Sequence, residues 1–372
     1  GIMEDTSAAG INKHLSELID STLENLVESQ CVLVHGGEIE ATPFLSISSY
    51  YYISHKTIRQ LLKQIHAKAT FQDVLKWLSL AIEYNELPVR NGEVIMNVEM
   101  SAQSRYSVES TFTGEQELPM WDPHIKTFLL LQAYLSRVNL PIADYHQDTV
   151  SILDQALRIL QAYIDIASEL GYYSTVLTMI KVMQCVKQGC WYEDDPVTTL
   201  PAVNLQRIVD AEFSEQGFTS EKKDGLTLDN IGRMGQRKLE SIARKLNVPN
   251  NMQRKFIDVA MRLPVLDNLE FKPQNSPGEI VLTARHSNNK SNREFSVWCD
   301  KFPKLQKELW FVIGYQNEEL LMIKRCQPRQ QGKEVQLKCD FIIPEELQGN
   351  ELSFTVINDA MDLRYELKQK LI

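Results

Sequence analysis

The spacing of apolar residues changes near Pro264, and this change constrains the fold most strongly. From Asn12 to about Gly189, apolar side chains return every three or four positions with breaks at glycines and prolines, which predicts an all-α region. Beyond Pro264 they alternate with polar residues, which is the period of a half-buried strand. We therefore expect a multidomain chain, α then β, because 372 residues are enough for two or three domains.

The strand-like runs are short, number about seven, and are separated by turn residues. Such a series is typical of an immunoglobulin-like or fibronectin type III-like β-sandwich. We place this sandwich at residues 265–372. The predicted strands are residues 280–284, 295–299, 309–315, 320–324, 335–341, 352–357 and 363–367.

The best predicted helix covers residues 149–170. One wide face is apolar, Asp148 can cap the start, and Gly171 can end the helix. At 1.5 Å per residue the helix is about 30 Å long, enough to cross a domain. The opposite face is polar, and we expect it to be available for a partner. It carries Gln155, Arg158, Gln161 and Asp165.

A second helical segment, residues 203–264, is basic although the chain as a whole is acidic. It has the pattern of a small helix-loop-helix domain, with short helices expected around Gly232, Gly235 and Pro249. Residues 225–262 hold eight cations and three acids, a net charge of +5 in a chain whose net charge is −10. This face is either a contact for nucleic acid or an ordinary solvated surface. The candidate residues are Arg237, Lys238, Arg244 and Lys245.

Cysteine usage and hydropathy indicate the compartment. The six cysteines are scattered along a chain large enough to fold without disulfides, which suggests a reducing compartment, the cytosol or the nucleus. No apolar run approaches the about eighteen residues that a membrane-spanning helix needs. The first ten residues lack the pattern of a signal peptide. We therefore expect a soluble protein that does not associate with membranes.

The sequence lacks the motifs of a nucleotide-driven motor. No G-x-x-x-x-G-K-[ST] loop occurs to hold phosphate, and no Asp-Glu dipeptide occurs to hold magnesium and orient water. The H-E-x-x-H and G-x-S-x-G motifs are also absent. We therefore expect no enzyme activity, no catalytic residue, no cofactor and no small-molecule substrate in this chain.

Three groups of residues could suggest a metal or acid-base site, and each has a simpler interpretation. Cys185 and Cys190 lack a second Cys or His pair at zinc-finger spacing, so we interpret them as buried thiols and expect no metal. His35 and His55 have no clustered ligands and are interpreted as structural. The acidic residues 193–195 precede Pro196 and are interpreted as a solvated turn.

Several blocks, in order, carry a resemblance to a known family. The segment S-Y-Y-Y-I-S-H-K-T-I at residues 49–58 resembles the signature that follows the winged-helix domain in superkiller-type DExH helicases and in the Sec-sixty-three homology unit. Within that family the sequence most resembles the C-terminal unit of the spliceosomal branch. The further blocks are E-L-P-V-R at 86–90, residues 126–140, L-D-Q-A-L-R at 153–158, and residues 302–310.

The resemblance implies a three-part unit. It implies a helical bundle at residues 43–202 with a ratchet-like helix at 149–170, a helix-loop-helix domain, and an immunoglobulin-like sandwich. Residues 1–42 would form a linker and helix leading out of a winged-helix region. Residues 358–362 replace the family's usual small-residue, tyrosine and glycine pattern in the sandwich.

Two functions follow from the resemblance. The first is a non-catalytic scaffold in pre-mRNA splicing, located in the nucleus, whose partners are spliceosomal proteins and the motor cassettes of the same polypeptide. The second is a module that contacts single-stranded RNA while an snRNA duplex is unwound, through Gln155, Arg158 and Gln161 on the ratchet-like helix or through the basic face. A strand channel also needs aromatic platforms, and the sequence places none beside Arg158.

Overall fold

A computed structural model describes residues 7–113, 118–203, 226–273, 279–286, 295–331, 334–342, 347 and 349–370. Its described part contains twelve α-helices and twelve strands, all strand pairs being antiparallel, and most strands follow the helices. The chain divides into two compact units. The first unit comprises Gly1–Leu131 and Pro141–Met179, and the second comprises Gln132–Leu140 and Ile180–Ile372. The finer four-part division expected from the sequence stays a prediction.

Nine helices account for most of the region predicted to be all-α. They are α1 Ala8–Glu28, α2 Pro43–Tyr51, α3 His55–Leu62, α4 Phe71–Ser79, α5 Glu93–Gln103, α6 Val108–Thr111, α7 Pro123–Leu135, α8 Ala143–Glu169 and α9 Tyr173–Gln188. By residue number, α7 and α9 begin in the first unit and end in the second.

The all-α prediction is wrong at one place, where a β-hairpin follows α1. Strand β1 (Val32–His35) pairs with β2 (Glu38–Ala41) across a turn at Gly36 and Gly37. Both glycines have positive φ, 59° and 88°, as tight hairpin turns of this kind require. The sequence analysis interpreted these glycines as a break between helices, because strands of four residues are too short to show a clear alternation.

Helix α8 contains the predicted ratchet-like helix but starts earlier. It has 27 residues and is about 40 Å long. Asp148 was predicted to cap its start, and this is wrong: Asp148 lies inside the helix, the capping position is Ile142, and no side chain caps it. Gly171 follows the helix end with φ +74°, as predicted. Its apolar face is buried, as at Ile152, Leu160 and Ala167.

The helical part of the second unit contains three short helices. They are α10 Leu228–Gly232, α11 Gln236–Lys245 and α12 Asn250–Ala260. Their positions confirm the helices expected around Gly232, Gly235 and Pro249, while residues 204–225 of the same predicted segment lie outside the described residues. Gly232 is required because a Cβ there would lie 2.4 Å from Cγ2 of Val265.

Two four-stranded sheets contain most of the C-terminal strands. One has the order β3 (Leu266–Pro273), β4 (Glu279–His286), β10 (Glu334–Ile342), β9 (Pro328–Gln331), and the other has the order β12 (Arg364–Lys370), β11 (Glu351–Asn358), β7 (Trp310–Gln316), β8 (Glu319–Cys326). A small pair joins β5 (Ser296–Val297) to β6 (Gln306–Lys307).

The strand prediction was close but incomplete. All seven predicted strands exist, although β5 has only two residues, and the sequence analysis missed β3, β6 and β9. Strand β3 was not predicted because its register shifts between Asp267 and Glu270, where Asn268 has a φ of 52°. A bulge of this kind interrupts the alternation on which the prediction rested.

The two sheets share one hydrophobic core. The ring of Phe354 in β11 lies 4.4 Å from that of Phe271 in β3 and 5.9 Å from that of Phe341 in β10, measured between centroids. Cys326 and Cys339 also meet between the sheets, with Cα atoms 6.0 Å apart, and are joined as a disulfide. The argument from cysteine usage predicted no such bond. The two cysteines come together only because their strands belong to the two facing sheets, which the sequence pattern does not show.

Candidate functional site

Helix α11 displays the four cations that the sequence singled out as a nucleic-acid contact. Its inner face is apolar, and Leu239, Ala243 and Leu246 are buried there. The four cations lie on the other side as two adjacent pairs seven residues apart, about two helical turns, and all are exposed. The acidic residue on this helix is Glu240, to which Gln236 donates a hydrogen bond of 3.0 Å. The cations are Arg237, Lys238, Arg244 and Lys245.

A groove of about 850 Å³ opens at the start of α11. Arg237 and Lys238 contribute cations to it. Arg233 also lines it but is held in ion pairs with Asp229 and Asp267, and its hydrogen bonds to these carboxylates raise its pKa. Arg233 therefore fixes the short segment between α10 and α11, while the α11 cations remain on the surface. The lining residues are Asn230, Arg233, Met234, Gly235, Gln236, Arg237, Lys238 and Glu240.

Two residues on the polar face of α8 make contacts within the first unit, while the availability of this face for a partner stays a prediction. Nη1 of Arg158 donates to the carbonyl oxygens of Tyr51 and Tyr52 at 3.1 and 2.6 Å, and Nη2 donates to Oε1 of Gln155. The hydroxyl of Tyr51 donates to Asp165 at 2.7 Å. The last carbonyls of a helix lack partners within the helix, so Arg158 acts as a cap for α2. Gln161 is half-buried on the same helix.

The carbonyls that Arg158 binds belong to a tyrosine-rich segment at the end of α2. Tyr50 and Tyr52 are 78% and 85% exposed, and Tyr52 has a left-handed backbone with φ 52°. They belong to α2 and its C-terminal cap, about a hundred residues away in sequence, so spacing along α8 could not reveal them. Arg158 donates to these carbonyls and to Gln155, and the statement that it lacks an adjacent aromatic platform stays a prediction.

A buried charge cluster joins α5, α7 and α8. Lys126 is fully buried, and its ammonium donates to the carbonyl of Pro88 at 2.6 Å and to carboxylates of Glu93 and Asp148 at 2.7 Å each. Arg90 donates to the same two carboxylates at 3.0 and 2.8 Å. The E-L-P-V-R block pointed to this region, but the sequence analysis assigned it no role.

The electrostatics of this cluster are those of a closed structural group. Burial alone would raise the pKa of Glu93 and of Asp148, but hydrogen bonds from Lys126 and Arg90 outweigh it, and both pKa values are lowered. Both carboxylates are therefore ionised and matched by two cations. Because the donors and acceptors are already paired, we infer that the cluster stabilises the fold and is not a catalytic site.

A second buried ion pair lies in the second unit. Lys187, near the end of α9, pairs with Asp359 in the turn after β11. Burial raises the pKa of Asp359 despite the lysine. Nε2 of Gln184 also donates to the carbonyl oxygens of Asn358 and Met361, at 2.6 and 2.8 Å. The turn that departs from the family pattern is thus fastened to the end of α9.

Most of the remaining candidates are buried or hydrogen-bonded within the chain, and their interpretation as structural residues stays a prediction. No group of three or more His, Cys, Asp or Glu side chains that could hold a metal ion occurs among the described residues. Cys185 and Cys190 are buried thiols, and Nδ1 of His55 lies 2.9 Å from the hydroxyl of Ser29. Asp195 accepts a hydrogen bond from the amide of Val197 at 2.8 Å. Within the same described part, no helix is both long and apolar enough to cross a bilayer.

The fold and these groups define a mixed helical and β module, in which buried charges are paired inside the chain and four exposed cations share one helix. The chain belongs to the Sec63 Brl domain family, which matches residues 42–368. The family resemblance found in the sequence is thereby confirmed.

Three relatives illustrate the family. The chain is similar to the "RQC trigger complex helicase SLH1" of Saccharomyces cerevisiae, 65% identical over all of the chain. It is 31% identical over 87% of its length to the "DExH-box ATP-dependent RNA helicase DExH14" of Arabidopsis thaliana. It is 26% identical over 96% of its length to the "U5 small nuclear ribonucleoprotein 200 kDa helicase" of Mus musculus. The chain spans 19%, 14% and 16% of these relatives.

Proposed function

We propose that this chain is a non-catalytic accessory module of a large DExH-box RNA helicase, and that the basic face of α11 holds RNA. The observation that carries the RNA contact is the exposure of four cations on one helix, beside an open groove, in a chain that is acidic overall. A local basic surface can bind phosphates even when the net charge opposes binding. The ratchet-like face of α8 is a weaker candidate because Arg158 is bound to backbone carbonyls.

The process in which the helicase acts is proposed from the relatives. The relative at 65% identity is named as a helicase of the RQC trigger complex, whereas the spliceosomal relative is 26% identical. We therefore favour a role in RQC triggering over the role in splicing that the sequence resemblance suggested. Spliceosomal partners, snRNA and a nuclear location belong to the splicing alternative and stay predictions.

The finer architecture is part of the same proposal. The two antiparallel sheets with a shared core support an immunoglobulin-like sandwich, and the long α8 among the helices of the first unit supports a helical bundle around a ratchet-like helix. Both are the folds that the family resemblance implies for these segments.

A scaffold that binds other proteins is the second candidate function. It is favoured by apolar surface on α1 and β2, where Leu18 and Ile19 are 54% and 64% exposed and Ile39 is 61% exposed. An apolar groove of about 330 Å³ lies between them. Large exposed apolar side chains grouped in this way mark protein contacts more often than nucleic-acid contacts.

The RNA contact is tested by replacing Arg237, Lys238, Arg244 and Lys245 with alanine. We expect the variant to bind single-stranded RNA at least ten-fold more weakly than the wild type. This loss corresponds to roughly 1.4 kcal/mol of binding free energy. A matched control removes four exposed cations from the sheets, Lys324, Arg329, Lys368 and Lys370, and should bind within two-fold of the wild type. Equal affinity of the α11 variant and the wild type would refute the contact.

A further inference from the structure

Two buried thiols meet where α9 ends. Gly189 has a φ of 58° and follows the helix, and the amide of Cys190 donates to the carbonyl of Cys185 at 3.3 Å. This is the hydrogen bond of a Schellman motif, in which the side chains at the two bonded positions commonly pack against each other. Apolar residues usually make that contact, whereas both positions here are cysteines. The end of α9 therefore holds two thiols side by side.

The backbone at this helix end suits a disulfide. A disulfide needs two α-carbons about 4.4–6.8 Å apart, and the hydrogen bond between the backbones keeps Cys185 and Cys190 close. Both are free thiols in the structure. Because only residues 186–189 lie between them, the bond would close a small ring without displacing another element.

Arg137 places a positive charge beside the pair. Its Nε donates to the carbonyl of Gly189, directly before Cys190, at 2.6 Å. A hydrogen bond from the Cys185 thiol and the charge of Arg137 hold the pKa of Cys190 below its ordinary value, despite burial. The same hydrogen bond and burial raise the pKa of Cys185 well above it. Cys190 is therefore the thiolate of the pair, the form that reacts, and Cys185 keeps its proton.

Cys190 is also the thiol of the pair that lies nearer the surface. It is 8% exposed, whereas Cys185 is 3% exposed. Tyr192, two residues further along the chain, is 41% exposed, so the surface begins beside the pair. Only a small oxidant can reach a thiolate in this position, and a second thiol in contact with it is the usual arrangement of a redox-sensing cysteine.

We propose that Cys185 and Cys190 form a redox site, at which hydrogen peroxide closes a disulfide that locks the end of α9. The Cys190 thiolate attacks one oxygen of the peroxide, the O–O bond breaks, and the other oxygen leaves as hydroxide and takes up a proton. Cys185 then loses its proton, attacks the sulfur of the Cys190 sulfenic acid, and displaces the oxygen as water. Both sulfurs are oxidised, and the peroxide is reduced to water.

The disulfide would secure a helix end that holds the turn after β11. Gln184 and Lys187 bind residues of that turn, and Nε2 of Gln188 donates to the carbonyl of Ala360 at 2.9 Å. All three side chains come from the last five residues of α9. Fraying of the helix end would release these contacts, and a bond between the two cysteines would oppose it. This lock is independent of the RNA contact proposed for α11.

Mass spectrometry of the whole chain after treatment with hydrogen peroxide tests the site. Trypsin cleaves after Lys187, between the two cysteines, so a disulfide keeps the two peptides linked. We expect the linked peptides to form at least ten-fold faster than Cys299 is oxidised, because burial raises the pKa of Cys299 to about 12. Cys299 is the more exposed thiol, so the comparison separates thiolate character from access. Faster oxidation of Cys299, or no linked peptides, would overturn the proposal.

Two serine variants separate the steps of the reaction. In Cys185→Ser the hydroxyl still donates a hydrogen bond to Cys190, but no thiol closes the disulfide. Oxidation should therefore stop at the sulfenic acid of Cys190, and dimedone should label that residue at least ten-fold more than in the wild type. In Cys190→Ser, Cys185 should stay reduced over the same time. Equal labelling of Cys190 in Cys185→Ser and the wild type would contradict the assigned roles.

Hydrogen exchange measures the lock. At the amides of residues 187–190, exchange in the oxidised chain should be at least three-fold slower than in the reduced chain, and dithiothreitol should reverse the change. Cys190→Ser, treated in the same way, is the control and should show no difference at these amides. Equal exchange in the oxidised and reduced wild type would overturn the lock.

Discussion

Lys126 carries its charge in the interior of the first unit, and the match of donors to acceptors explains how. An ammonium has three hydrogen-bond donors, and three oxygens surround it. The ring of Tyr145 lies 4.8 Å from the nitrogen and adds a cation–π contact. A residue this well matched is costly to remove, because its partners stay buried.

Lys126→Met should therefore lower the free energy of unfolding by about 3–5 kcal/mol, the typical cost of breaking a buried ion pair from one side. The measurement is urea denaturation of the whole chain. Lys63→Met at an exposed position is the control and should stay within about 0.5 kcal/mol of the wild type. A Lys126 variant as stable as this control would show that the cluster does not hold the fold.

The same cluster predicts a pH dependence. The folded pKa values of Glu93 and Asp148 are lowered, so the stability they contribute is present above the ordinary carboxyl pKa of about 4 and is lost as the pH falls below it. Glu93→Gln with Asp148→Asn should therefore be less stable than the wild type at pH 7, and the gap should shrink towards pH 3. Denaturation at several pH values measures it. A gap that widens at low pH would contradict the account.

At the scale of elements, the contact of α2 with α8 engages two side chains of the predicted ratchet-like face. Arg158 caps α2, and Tyr51 reaches Asp165 on the same helix. Arg158→Ala should lower stability by about 1.5–3 kcal/mol, because hydrogen bonds from a charged group are lost, and should leave RNA affinity within two-fold. Hydrogen exchange at residues 51–53 should rise, and it should not in the control Ser151→Ala. A large loss of RNA affinity with unchanged stability would restore α8 as an RNA contact.

Elements with a long regular pattern could be predicted from the sequence, and short ones could not. The core of α8 and the strand β10 each repeat their period several times, and β7 and β11 are long runs rich in apolar residues, so their positions were right. The β1–β2 hairpin has strands of four residues, and β3 contains a register shift, so neither shows enough of a period.

The candidate site divides in the same way. The α11 cations lie on one helix, and helical spacing alone places them together. The partners of Arg158 and Lys126 come from other helices, up to 107 residues away in the case of Tyr51, and no local pattern reports such contacts. The sequence therefore showed where the charged residues lie along the chain, but only the fold separates the buried ones from the exposed ones.

At the scale of the whole molecule, the distribution of charge limits where the proposed RNA contact can lie. The chain carries a net charge of −10, while residues 225–262 carry +5, so the proposed contact is local and should be sensitive to salt. An acidic protein gains nothing from general attraction to phosphate, so the proposal depends on the basic face alone.

The most direct test of this account is the affinity of the purified chain for single-stranded RNA across a salt series, for the wild type and for the four-alanine α11 variant. We expect the wild-type logarithm of affinity to fall linearly with the logarithm of salt, and the slope of the variant to be shallower by roughly 2–3, because about 0.7 is lost per phosphate contact removed. Identical slopes for the two proteins, or no binding by the wild type at low salt, would contradict the claim that α11 holds RNA.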